Sequence, residues 1–149
     1  MSLHIISHKN FKIDKPLSKK LSTAFDLICI EERLSNCSVN LKILNDSEIK
    51  NLNRKFRNKD KPTNVLSFTN EDISKQVTNN IGDIAISYEY VECESKEQNK
   101  NFDNHFIHMF IHGIYHILGF DHESDSMADD MEDKEILLLK KLNIKNPYK

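Results

Sequence analysis

The chain has 149 residues, 38% of them hydrophobic and 30% charged, which suits one ordinary globular domain spanning residues 1–149 with a real core. No apolar run approaches the ~20 residues of a membrane span and the N-terminus lacks a signal-peptide core, so a cytoplasmic protein with no membrane partner is expected. A net charge of −2 argues against indiscriminate coating of nucleic acid but leaves room for a local basic site.

In chain order, Leu3 to Ile6 reads as a short strand. From Lys15-Pro16 to about Arg33, Leu17, Leu21, Phe25, Ile28 and Leu34 recur at helical intervals, with Pro16 in the first turn. Ser38 to Leu44 alternates polar and apolar, as a strand with one buried face does. Asn45 and Asp46 offer a cap for a helix running to about Phe56. A polar loop, Arg57 to Pro62, leads to a strand at Asn64–Thr69, and residues 70–80 form a polar connection. Ile81–Ser87 is a further strand, and Tyr88–Lys100 is an amphipathic helix. The next helix, about Asp103 to Leu118, is apolar nearly all round, which marks a helix packed inside the protein. A last helix, Ser126 to Leu142, is acidic early, at Asp129, Asp130, Glu132 and Asp133, and ends in Lys140 and Lys141, as the helix dipole favours. The expected fold is α+β: a small mixed β-sheet with helices packed around one buried central helix.

That central helix carries His112-x-x-x-His116-x-x-Gly119-x-x-His122. Histidines four apart share a helix face about one turn, or roughly 6 Å, apart, so both imidazoles can reach one ion. Gly119 tolerates the left-handed conformation with which a helix stops, and two further residues bring His122 round as a third nitrogen ligand. Three histidines without a fourth protein ligand describe a catalytic zinc, with one position open. The stretch resembles the long zinc motif of metzincin proteases, except that Gly113 stands where their general base, Glu, is required. That departure sets the protease reading aside. His105 and His108 precede the pair on the same helix and read as structural residues or as supports behind the ligands rather than as ligands. His4 and His8 read as surface residues. The cysteines, Cys29, Cys37 and Cys93, are odd in number and lack CxxC spacing, so free thiols are expected rather than metal ligands.

A second feature is the loop in which Arg54, Lys55, Arg57, Lys59 and Lys61 face one acid, Asp60. A solvated basic surface explains the lysines equally well. Arg57 is a different matter, because its planar fork can hold two phosphate oxygens at once.

Arg57-Asn-Lys-Asp-Lys-Pro-Thr-Asn-Val-Leu-Ser-Phe68, Gly82-Asp-Ile84 and His112 to His122 occur in this order and spacing, with a closing Asn-Pro-Tyr148. From about residue 38 to its end the chain resembles the YbeY family of bacterial metal-dependent endoribonucleases, the rRNA maturation factors. It departs from that pattern modestly, with Asn64 where many members have Asp, and with Tyr115 and Phe120 in place of Leu and Tyr. The resemblance implies a single-strand-specific ribonuclease acting in 3′-end maturation of small-subunit (16S) rRNA and in ribosome quality control. Its implied partners are single-stranded RNA and the small ribosomal subunit, with no DNA. It also implies that His112, His116 and His122 bind the metal and that Arg57 is needed for activity.

On that reading a three-histidine Zn²⁺ makes a water acidic near neutral pH and polarises a phosphoryl oxygen, while Arg57 steadies charge growing on the phosphate. Whether the attacking group is that water or the RNA's own 2′-OH stays open. Asp121 is a candidate proton acceptor or partner of His122, with a turn role as the alternative. Ser67 and Asp83 are candidates for the edge of the cleft. Three imidazoles suit nickel, copper or cobalt as well as zinc. Two other classes compete: an RNA- or ribosome-binding module with a structural metal, and a metal hydrolase of another substrate class. The acidic start of the last helix would oppose RNA if it bordered the cleft.

Overall fold

The computed structural model describes residues 2–69, 79–121 and 123–149. Most of the 70–80 connection expected from sequence falls outside them. Alternation and capping act where the sequence put them. Ser2–Ser7 forms β1, Lys15–Glu31 α1, Ser38–Leu44 β2 and Asp46–Arg57 α2. They are followed by Val65–Thr69 as β3, Asn80–Ser87 as β4, Tyr88–Glu97 as α3, Phe102–Ile117 as α4 and Asp125–Lys141 as α5. Asp14 caps α1 by accepting from the Leu17 N–H at 2.9 Å, with proline in the first turn. Asn45 and Glu48 cap α2 reciprocally, and Asn58 ends it in the left-handed conformation at φ 58°. At α5, Ser124 is the cap and Asp125 holds the first turn, so the acidic run at 129–133 lies further along the helix than the dipole argument placed it.

The strands lie in the order β1-β2-β4-β3, with β1, β2 and β4 parallel and β3 antiparallel at the edge. Parallel strands are covered on both faces. One face of this sheet packs Val39, Leu41, Ile43, Ile84 and Ile86 with α1, α4 and α5 in the main core. The other packs Ala85 and Leu66 with Ile49 of α2. The mixture is α+β, as expected. Helix α4 runs through the main core with Phe106, Phe110, Ile111 and Ile114 wholly buried, and each such side chain contributes about 1.5–3 kcal/mol. That burial fixes the helix that carries His112 and His116.

Cys29 and Cys37 are buried, free and 3.0 Å apart at sulfur, and burial pushes the Cys29 thiol up to about 12, where it is a poor ligand and nucleophile. His4 is exposed, but His8 is half-buried against Phe11 and 3.5 Å from Glu48. Among the described residues no helix is long and apolar enough to cross a membrane.

Candidate active site

The expected pair meets. His116 Nε2 lies 3.1 Å from His112 Nε2, with the rings nearly perpendicular. On its other side His112 presents Nδ1 to Glu135 Oε2 at 3.1 Å. Glu135 belongs to α5 and is wholly buried. Its second oxygen lies 2.7 Å from His108 Nε2 and accepts from the Tyr148 hydroxyl at 2.8 Å. Burial alone would raise the pKa of this carboxyl, but the hydrogen bonds from His108 and His112 outweigh it and hold the pKa at about 2. Glu135 is therefore ionised at neutral pH, and it can only accept.

That fixes the tautomer of His112. With its proton on Nδ1 towards Glu135, its Nε2 carries a lone pair directed at His116. Two imidazole nitrogens at 3.1 Å need something positive between them, either a proton on His116 or a cation. Nitrogens bound to one tetrahedral zinc at ~2.0–2.1 Å lie about 3.3–3.4 Å apart, so the observed gap is close to that of two ligands of one ion. A carboxylate behind a ligand histidine is the usual support of such a site. Among the described residues no group of three His, Cys, Asp or Glu converges on an ion. The third expected ligand, His122, lies outside those residues.

His112 and His116 line a cleft of about 590 Å³ together with Arg57, Lys59, Lys61, Asn64 and Ser67. Its described lining contains no acidic residue, so the start of α5 does not confront a ligand there. Arg57, the last residue of α2, reaches over the edge of β3. Its Nη2 donates to the Ser67 carbonyl at 2.7 Å, its Nη1 to the Phe56 carbonyl at 3.1 Å, and the guanidinium covers the Phe68 ring at 5.1 Å. The basic loop beyond it is tied down by buried Asn53, whose Nδ2 donates to the Lys61 carbonyl at 2.9 Å and whose own carbonyl accepts from the Lys59 N–H.

The chain is matched by the family model "Endoribonuclease YbeY" over residues 4–143. The chain belongs to the YbeY family. The Endoribonuclease YbeY of Francisella philomiragia is 41% identical over 99% of this chain and 95% of its own length. That of Francisella tularensis subsp. novicida is 43% identical over 89% of this chain and 85% of its own. Among solved structures, the solution structure of TM1509 from Thermotoga maritima superposes with a TM-score of 0.63 at 26% identity, covering 95% of this chain and 91% of that one.

The other candidates of this YbeY member lie partly at the cleft and partly away from it. Ser67 lines it but spends its hydroxyl on the Gly113 carbonyl at 3.0 Å. Asp83 accepts from Asn40 Nδ2 across the sheet, away from the cleft lining. Asp121 is half-exposed just past α4, where its Oδ1 accepts from the Glu123 N–H at 3.1 Å, and it is absent from the described lining. His105 bonds Glu94 at 3.0 Å, and burial keeps its imidazole below the ordinary histidine range. Glu94 also accepts from Asn64 Nδ2, a donor that an Asp at this position would lack. Sequence reasoning did not single out Glu135, Asn53 or the hydroxyl of Tyr148.

Gly113 has a physical reason of its own. A Cβ built there would meet Ser67 Oγ at 3.1 Å and two Ile84 methyl carbons at 3.2 and 3.3 Å. The helix touches the sheet here, so this YbeY chain has no room for the glutamate of the protease motif. Gly113→Val is expected to lower stability by about 1–3 kcal/mol through overpacking, read by urea denaturation. Wild-type stability in that variant would show that the helix can lift off the sheet.

Proposed function

We propose that this chain is a metal-dependent endoribonuclease that cuts single-stranded RNA and works in the cytoplasm on the 3′ end of small-subunit rRNA. One observation carries the reading furthest: a pair of imidazole Nε2 atoms poised for an ion shares a cleft with Arg57, Lys59 and Lys61, and the described residues of its lining include no acid. Membership of the YbeY family supplies the endoribonuclease class.

His112, His116 and His122 would hold the ion, zinc or another divalent transition metal, which supplies Lewis acidity and an activated water close to a phosphate. Glu135 keeps the His112 Nε2 lone pair turned to that task. Arg57 has five N–H donors and spends two on backbone carbonyls, which leaves three for phosphate oxygens. The bonds to the Ser67 and Phe56 carbonyls and the contact with Phe68 hold the guanidinium in place before substrate arrives, so little reorganisation is needed as negative charge builds on the phosphate. Lys59 and Lys61 neutralise neighbouring phosphates, and cleavage should weaken with added salt.

The test offers the metal-loaded protein an RNA oligonucleotide that carries the 3′ extension of small-subunit rRNA, single-stranded and annealed to its complement. Cutting of the single strand with sparing of the duplex is expected. An intact single strand would overturn the reading.

A further inference from the structure

We propose that Phe56 is a positioning residue that stacks an unpaired RNA base beside the phosphate held by Arg57. This deepens the ribonuclease reading and rests on it. Phe56 lies seven residues after Ile49 on the apolar face of α2, where folding alone would bury it, yet it remains 49% exposed. Among the described residues its aromatic partner is Phe68, at 5.3 Å in an edge-on arrangement. Arg57 joins the two surfaces. The same guanidinium that lines the cleft lies over Phe68, so the aromatic pair and the cleft meet at one side chain.

Lys55 Nζ sits 5.2 Å from the Phe56 ring centre, and Arg57 follows Phe56 in sequence, so an exposed aromatic is bracketed by two cations. Aromatic rings interleaved with positive charge are how proteins hold single-stranded RNA, with bases on the rings and phosphates on the cations. A base arriving on Phe56 would move the Lys55 ammonium onto the adjoining phosphate. The faces of bases in a duplex are covered by their neighbours and cannot stack on Phe56, so the ring contributes to the preference for single strands. Packing alone accounts for the edge of Phe56 that meets Phe68. It does not account for the half that stays in water beside the Lys55 ammonium.

The test compares wild type, Phe56→Leu, which keeps apolar bulk against Phe68, and Phe56→Trp, which keeps a stacking face. Each is given a single-stranded RNA and a set of otherwise identical RNAs with one base removed at successive positions around the cut. Binding is read by fluorescence anisotropy on metal-loaded protein, and cleavage by steady-state kinetics. For wild type, one base removal should weaken binding and raise KM by about 5- to 150-fold, with a much smaller change in kcat. Phe56→Leu should show the same loss on intact RNA and no further loss on the abasic one, whereas Phe56→Trp should behave as wild type. Wild-type affinity in Phe56→Leu, or an undiminished penalty for the missing base, would overturn the proposal. Binding without cleavage by wild type would instead sink the ribonuclease reading, and anisotropy would still decide the role of Phe56.

Discussion

Replacing Arg57 by alanine is expected to lower kcat/KM for single-stranded RNA by about 10²–10³-fold while the metal stays bound. The side chain touches neither His112 nor His116 in any observed hydrogen bond, so its loss leaves their Nε2 pair standing. What disappears is the fixed fork over the phosphate. The structural price is small, because the two lost bonds run to carbonyls at an exposed edge, and about 1 kcal/mol or less of stability each is expected. Arg57→Lys should recover part of the rate, since lysine restores charge but offers one point of contact. Kinetics on a short RNA, paired with metal analysis of each variant, checks both halves. An Arg57→Ala protein that cuts at the wild-type rate would remove arginine from the mechanism.

Glu135→Ala is expected to weaken metal binding by about 10–100-fold and to destabilise the metal-free protein by about 3–5 kcal/mol. Three donors converge on this carboxylate: the ring nitrogens of His108 and His112, and the Tyr148 hydroxyl. Its removal takes this acceptor from all three and releases His112 from its tautomer. Glu135→Gln separates the effects. It fills the same space, but one of its two terminal atoms is a donor that meets donors, so an intermediate loss is expected in both readouts. A chelator-competition titration gives the affinity, and urea unfolding of the metal-free protein gives the stability. If the alanine variant binds metal as tightly as wild type, His112 does not need the carboxylate to aim its lone pair.

Much of this was legible in the sequence because the relevant forces are local. The i, i+4 spacing placed His112 and His116 on one face, alternation in Ser38–Leu44 named the buried face of β2, and Asn45 and Pro16 marked helix starts that the structure keeps. Basic residues clustered before β3 drew attention to Arg57, which lines the cleft. What stayed hidden depends on contacts between distant segments. Glu135 looked like one more acid of the last helix, although its position carried a signal: it shares the apolar stripe of Met131, Leu138 and Leu139, where a carboxylate is tolerated only with partners. Those partners come from α4 and from the chain end. Gly113 invited comparison with a missing catalytic base, whereas the reason for it is the closeness of Ser67 and Ile84. The antiparallel insertion of β3 at the sheet edge, and the hold of Asn53 on the basic loop, likewise have no local pattern to announce them.

The most direct measurement is the metal content of the purified protein, set beside its RNA cleavage before and after chelation, for wild type and His116→Ala. Wild type should carry one divalent transition-metal ion per chain, lose cleavage when stripped and regain it on metal return, while His116→Ala should neither hold the ion nor cut. Full cleavage by stripped wild-type protein, or stoichiometric metal in His116→Ala, would contradict the assignment of the histidine pair.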